Sequence, residues 1–238
     1  MRPILLVTTD QRPPSGFHDS PRVRPRRGEA YIQTPYLEAI WQAGGEPLLV
    51  PPGPKEGVEP LLRLASGVVL TGGHFDIHPS WYGHEVHGRL DRIDETRTAR
   101  EILLARACLA RRVPVLGICG GMQALAVAAG GSLIQDLPPA DQDHLAHEQQ
   151  EDPAKPSHTV RLESPASDWL GARVEVNSTH HQAVDNPGEM VACGWSDDGV
   201  IEAIWHPEHP FAFGVQWHPE LLGQTQVYQA LIDAIVQS

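Results

Sequence analysis

The sequence predicts an α/β fold, a mostly parallel β-sheet flanked by helices with an antiparallel hairpin added in the C-terminal half. Three observations point there. Short β-branched runs alternate with helical patterns through the first half. An apolar run at 113–119 (VPVLGIC) passes without a linker into a second at 120–130 (GGMQALAVAAG), as a buried strand feeding a sheet-packed helix would. From residue 158 onward the pattern shifts to short alternating runs, the last two of which read as a hairpin.

Residues 3–9 (PILLVTT) read as the first strand. A loop rich in Pro, Arg and Gly follows. The segment 29–43 turns helical from about Pro35 and stops at Gly44-Gly45, since helices commonly end on a residue needing positive φ. Residues 47–50 (PLLV) and 67–70 (GVVL), each bounded by Gly or Pro, are the second and third strands. Over 91–112, apolar positions recur at spacings of three and four, with acids early and bases late, which suits a helix and its dipole. The strand at 113–119 and the helix at 120–130 come next. Residues 141–156 (DQDHLAHEQQEDPAKP) have no periodicity and are expected to be a surface loop. Strands are expected at 158–162, 173–176, 191–195, 200–205 and 211–217, the last two joined as a hairpin, and 223–236 closes the chain as a helix.

With 238 residues, 41% hydrophobic and 20% charged, the chain can bury a sizeable core, and one domain over 1–238 is expected. Eighteen Lys and Arg against 30 Asp and Glu give a charge of −12, which argues against nucleic acid as the partner. No apolar run approaches the roughly 18–20 residues that span a bilayer, and the stretch 4–7 is too short for a signal peptide. Three cysteines (Cys108, Cys119, Cys193) point to a reducing cytoplasm and away from a disulfide framework. The expected partner is a small molecule, with a homodimer as the base-rate oligomer.

The sharpest local feature is Gly117-Ile118-Cys119-Gly120-Gly121, where a strand enters a helix through a tight turn. That geometry presents a nucleophile on an elbow, beside a helix N-terminus that favours a thiolate. The N–H of Gly120 would point where an oxyanion forms. A plain buried cysteine is the competing reading of Cys119 taken alone. A thiolate needs a partner, usually His. Among 13 histidines, His218 in 213–220 (FGVQWHPE) stands out because it lies just past a strand end. Pro219 holds His218 out of the helical region. In an extended backbone residues i and i+2 point the same way, so Glu220 can orient its imidazole. The sequence also holds a decoy, Trp205-His206-Pro207-Glu208. If 200–217 is a hairpin, His206 sits at its turn, about 20 Å from His218 at about 3.3 Å per residue, and only one can serve Cys119. His218 is preferred, because a tight turn is normally a surface connection. Gly72-Gly73, closing the third strand, could supply the other oxyanion donor or simply meet the needs of a loop.

Together these residues resemble the class I glutamine amidotransferase-like superfamily and, more closely, its γ-glutamyl-γ-aminobutyrate hydrolase family. The resemblance runs through nearly the whole chain: Tyr36, Ala43-Gly44-Gly45, Gly72-Gly73, Asp76, Tyr82-Gly83, residues 114–119 (PVLGIC), Gln123, residues 130–133 (GGSL), residues 176–178 (VNS), residues 181–184 (HQAV) and residues 214–220 (GVQWHPE). It implies a flavodoxin-like core and cleavage of a γ-glutamyl amide. Cys119 would attack the amide carbon, His218 would protonate the leaving amine and then activate water, and Glu220 would orient His218. The N–H groups of Gly73 and Gly120 would hold the oxyanion. Gln123 matches a position that contacts the glutamyl portion, and His181 and Gln182 match a motif near that pocket. No cofactor or metal is implied. Hydrolases of this branch often carry Arg directly after the nucleophile; here that residue is Gly120, which keeps the backbone N–H and leaves the amine preference open.

His74, His78, His84 and His87 fall within 14 residues, but their irregular spacing reads as a solvated rim and not a metal site. The basic run 22–27 (RVRPRR) reads as a solvated loop, and Cys108 and Cys193 as packing residues. Three function classes follow. A free-standing γ-glutamyl amide hydrolase leads. A glutaminase subunit passing ammonia to a synthase is the alternative. A non-catalytic binding protein is disfavoured by the intact Cys119, His218 and Glu220.

Overall fold

In the computed structural model, which describes residues 2–12, 28–54 and 57–237, five strands run parallel in the order β4 (Glu46–Val50), β1 (Ile4–Thr8), β5 (Gly67–Leu70), β6 (Val115–Ile118) and β13 (Ala212–Val215). The three central strands read as unbroken apolar runs because helices cover both faces of the sheet. Alternate residues serve opposite sides. Leu5, Val7, Leu116 and Ile118 face a core shared with α1 (Thr34–Gln42) and α6 (Gln226–Gln237). Leu6, Val68, Leu70 and Val115 face α2 (Val58–Leu62), α3 (Glu95–Arg111) and α4 (Gly120–Ala128).

The helix boundaries follow local chemistry. Pro35 occupies the first turn of α1, and Gly44 follows its end at φ 91°. Asp94 caps α3 by accepting the Arg97 N–H at 3.0 Å, so the helix starts a few residues later than the periodicity suggests. Between β6 and α4 no linker exists. A β-carbon on Gly121 would sit 2.0 Å from the Leu70 carbonyl oxygen, so only glycine lets α4 lie this close to the sheet.

On the far side of β13 the sheet is antiparallel. The expected hairpin is present, with Ala203 opposite Val215 in β12 (Ile201–Trp205) and β13. The sheet continues through β11 (Val191–Ser196), β8 (His158–Leu162) and β9 (Arg173–Val176), and β10 (Ala183–Asn186) joins β12 to β7 (Ser132–Ile134). The antiparallel half is thus larger than the one hairpin expected. The sequence reading also lacks α2, α5 (Ala166–Leu170), β7, β10 and a small ladder of β2 (Asp10–Arg12) with β3 (Glu29–Tyr31). Each has three to five residues, too few to show a period.

Residues 141–156 hold no helix or strand, as expected, but they are more than a surface loop. His147 is buried, Gln149 Oε1 accepts the Ser178 N–H, and the Pro153 carbonyl accepts from Asn177. Buried polar groups like these must be paired, and the pairing draws the loop inward. The basic run 22–27 lies outside the described residues. Among the described residues no helix is long and apolar enough to cross a membrane.

Candidate active site

Cys119, His218, Gly73, Gly120, Gln123, His181 and Gln182 converge at the C-terminal edge of the parallel strands. From β1 the chain crosses first to the edge strand β4 and then back to β5 and β6 on the other side. Open α/β sheets bind ligands outside the carboxyl ends of the strands near such a reversal. Here Asp10 follows β1, Thr71–Gly73 follow β5, Cys119 follows β6, and His218 lies just beyond β13.

Cys119 has φ 51° and ψ −112°, a backbone conformation that L-residues avoid. It is held there from both sides. Its N–H donates to the Val215 carbonyl at 2.8 Å, continuing the β6–β13 ladder, and its carbonyl accepts from the Gln123 N–H at 3.1 Å, starting the helix. Such strain, typically about 1–3 kcal/mol, persists only where the surroundings over-determine it. Gly120 occupies the first position of α4, where an N–H has no intrahelical acceptor. A β-carbon at position 120 would stand 3.3 Å from the Phe75 ring, so Phe75 backs this turn.

His218 Nδ1 lies 2.7 Å from Glu220 Oε1, and the Glu220 side chain is buried. The pair forms as expected but through a turn and not an extended run. The Leu221 N–H donates to the His218 carbonyl, with Pro219 at the second turn position. With Nδ1 facing the carboxylate, Nε2 is left for Cys119, which lines the same cavity as His218. Burial opposes a charge on His218, but Glu220 and Cys119 outweigh it and hold its pKa well above the usual histidine value. Two further residues position the ring. Asn177 accepts the His218 N–H at 2.8 Å and donates to its carbonyl at 3.3 Å. Tyr36 Oη lies 3.2 Å from Nδ1 and accepts the Gly72 N–H at 3.0 Å. Burial, then Glu220, raise the Tyr36 pKa well above the phenol value, so the hydroxyl stays protonated.

The Thr71–Gly73 turn rests on a buried cation. The Arg97 guanidinium donates to the Thr71 carbonyl at 3.0 Å and the Gly72 carbonyl at 2.8 Å, and pairs with Glu101 and Asp10. A trans peptide points its N–H opposite its C=O. With the Gly72 carbonyl turned to Arg97, the Gly73 N–H faces away from it. A β-carbon on Gly73 would fall 2.1 Å from Arg97, and one on Gly72 2.6 Å from His218, so both positions require glycine for space. Burial pushes the Asp10 pKa up, but Arg97, the Gln11 N–H, Tyr31 and Arg92 bring it below the ordinary carboxylate value.

Cys119 lies between two cavities. One, of about 150 Å³, is lined by Asp10, Tyr31, Tyr36, His218 and Leu221 among others. The other, of about 240 Å³, is lined by Gly73, Gly120, Gln123, His181 and Gln182, with Arg92 and Glu148 supplying both signs of charge. Gln123 Nε2 donates to the Gln182 carbonyl and to Gln216 Oε1, which uses both its hydrogens and leaves its carboxamide oxygen for any ligand. Gln182 is turned structurally, with Oε1 accepting the Ile77 N–H. His181 is clamped between Asp76 at 2.9 Å and Asp136 at 3.1 Å, and the Asp76 hydrogen bond leads the rise in its pKa.

His206 sits in the turn between β12 and β13, at the opposite end of the hairpin from His218. His74 is exposed at the mouths of both cavities. Among the described residues the histidines 74, 78, 84 and 87 do not converge as a ligand set. Cys108 and Cys193 are packing residues, with thiols pushed up to about 12 by burial. Tyr36, Asn177 and Arg97 were assigned no positioning part from sequence. For Tyr36 and Asn177 the signal at hand was their place among the motifs that carry the resemblance.

The fold has solved counterparts. A solved glutamine amidotransferase from Thermotoga maritima superposes with a TM-score of 0.61, over 100% of this chain and 97% of that one, at 15% identity. Two relatives are closer in sequence. A Mycobacterium tuberculosis protein bearing the provisional name of a glutamine amidotransferase is 40% identical over 213 residues, 86% of this chain and 67% of its own. The γ-glutamyl-γ-aminobutyrate hydrolase of Escherichia coli K12 is 37% identical over 206 residues, 79% of this chain and 78% of its own. Residues 18–220 match the Peptidase C26 family, and the chain belongs to it, among the class I glutamine amidotransferase-like proteins.

Proposed function

We propose that this protein hydrolyses a γ-glutamyl amide to glutamate and an amine through a thioester on Cys119. The observation that carries the proposal is one constellation: a strained elbow cysteine sharing a cavity with an imidazole whose Nδ1 meets a buried carboxylate at 2.7 Å. Cys119 Sγ attacks the amide carbon, and the carbonyl oxygen becomes an oxyanion held by the N–H groups of Gly73 and Gly120. His218, kept protonated by Glu220, gives its proton to the departing nitrogen, and the C–N bond breaks. The resulting neutral imidazole takes a proton from water, whose oxygen attacks the thioester carbon. Glutamate leaves and the Cys119–His218 pair is restored.

The cavity holding Gln123, Arg92 and Glu148 suits the glutamyl portion, since its α-carboxylate and α-ammonium groups need both charges. His181 and Gln182 shape that wall, and the Gln182 carbonyl fixes Gln123. The cavity with Tyr31 and Leu221 is left for the amine. No metal or cofactor enters any step.

The test is glutamate release by purified protein alone, across glutamine and a panel of γ-glutamyl amines, with Cys119→Ala as blank. Release from one amine, absent in the variant, supports the hydrolase and names its leaving group. The 40% identity to a protein provisionally named an amidotransferase keeps a second reading in view, a glutaminase serving a synthase. Silence across the panel would favour it.

A further inference from the structure

Glu202 of β12 is fully buried, and among the described residues neither of its carboxylate oxygens has a hydrogen-bond partner. A buried carboxylate left bare costs several kcal/mol, so something must answer its charge. Three imidazoles surround it. His158 Nε2 stands 3.5 Å from Oε1, His147 Nδ1 3.6 Å and His180 Nε2 3.8 Å. Those separations are too long for good hydrogen bonds. They approach the spacing of ligands around a tetrahedral zinc, which at about 2.0–2.1 Å from the metal stand roughly 3.3–3.5 Å apart. His158 Nε2 is itself buried without a hydrogen-bond partner.

The far nitrogen of each ring is held from outside. His147 Nε2 lies 3.2 Å from Asp198 Oδ2, His158 Nδ1 3.1 Å from Ser157 Oγ, and His180 Nδ1 3.0 Å from the Gln182 carbonyl. Metal-binding imidazoles are oriented in this way, by a carboxylate, hydroxyl or carbonyl on the nitrogen that does not ligate. On the inner side Ser178 Oγ lies 3.1 Å from both His147 Nδ1 and His180 Nε2, and one hydroxyl proton cannot serve both.

We propose that His147, His158 and Glu202, whose ligand atoms lie within 4.8 Å of one another, bind a divalent transition metal of the zinc type through Nδ1, Nε2 and Oε1 respectively, with His180 Nε2 beside the fourth position. The set is nitrogen and oxygen only and excludes Cys119. Its ligands come from the 141–156 loop, β8 and β12, with His180 in the segment whose Asn177 clamps His218 and whose Gln182 carbonyl holds Gln123. The metal would tie these pieces together and act on stability, since binding to the folded state alone raises it.

The experiment uses the full chain, stripped with a chelator and dialysed against Zn(II) for metal analysis and against Co(II) for a visible spectrum. Thermal unfolding is followed with and without metal. One equivalent should bind and raise the unfolding temperature. The cobalt bands should lack a sulfur-to-metal charge-transfer component and survive in Cys119→Ala. Affinity should fall at least tenfold in Glu202→Gln and in His158→Ala. Three results would overturn the site: no stoichiometric binding by the wild type, a spectrum with thiolate character that vanishes in Cys119→Ala, or undiminished affinity in both ligand variants. The wild-type and Cys119→Ala spectra decide the matter even if a ligand variant does not fold.

Discussion

Cys119 sits at φ 51°, where a β-carbon costs about 1–3 kcal/mol. Cys119→Gly should therefore lose turnover yet unfold at a higher temperature, by about 2–4 °C for each net kcal/mol relieved. Calorimetry beside an activity assay checks both. His218 links activity to pH. Its folded pKa lies well above the unfolded value of about 6.5. Its stabilising contribution is thus full below about 6.5 and is lost as pH rises through the folded pKa. The alkaline limb of kcat/KM should follow the same proton. In Glu220→Gln both the stability window and that limb should move to lower pH, with kcat down by about 10²–10⁴-fold. An alkaline limb that stays in place would show that Glu220 does not set the charge on His218. Cys119, His218 and Glu220 were legible because each stands in a local motif. Tyr36 and Asn177 were not assigned their positioning parts, since they meet His218 across 182 and 41 positions, a proximity only the fold creates.

At the scale of elements, the junction of β6 with α4 leaves no room for a side chain. Gly121→Ala would drive a β-carbon to 2.0 Å from the Leu70 carbonyl oxygen. It should destabilise the protein by about 3 kcal/mol or more, measured by chemical denaturation, because backbone cannot yield as a flexible side chain can. Beneath the Thr71–Gly73 turn, Arg97→Lys keeps the charge but loses the fork that holds two carbonyls, and should cost about 3 kcal/mol as a disrupted buried ion pair. It should also lower kcat more than it raises KM, since the turn presents the Gly73 N–H. The long helices and buried strands could be read from periodicity and caps. The short β7, β10 and α5 could not, because pairing and packing supplied by the rest of the sheet define them.

For the whole molecule, a parallel sheet delivers loops from β1, β5, β6 and β13 to one edge, and the antiparallel half brings Asn177, His180 and Gln182 against the same edge. The hairpin separates the two His-Pro-Glu motifs to opposite ends of one strand. His218→Ala should nearly abolish turnover while His206→Ala leaves it within about twofold, as surface substitutions usually do. The parallel half and the separation of the two histidines were readable because alternation and turn chemistry fix which end of a strand is which. The inward course of 141–156 was not, since its buried His147 stands in a polar, aperiodic stretch. The most direct measurement is acid-quenched turnover of a γ-glutamyl amine, followed by peptide mapping of the wild type and Cys119→Ala. A γ-glutamyl group on the Cys119 peptide, with neither adduct nor glutamate release in the variant, is the predicted result. A glutamyl group on any other residue, or undiminished release by Cys119→Ala, would contradict it.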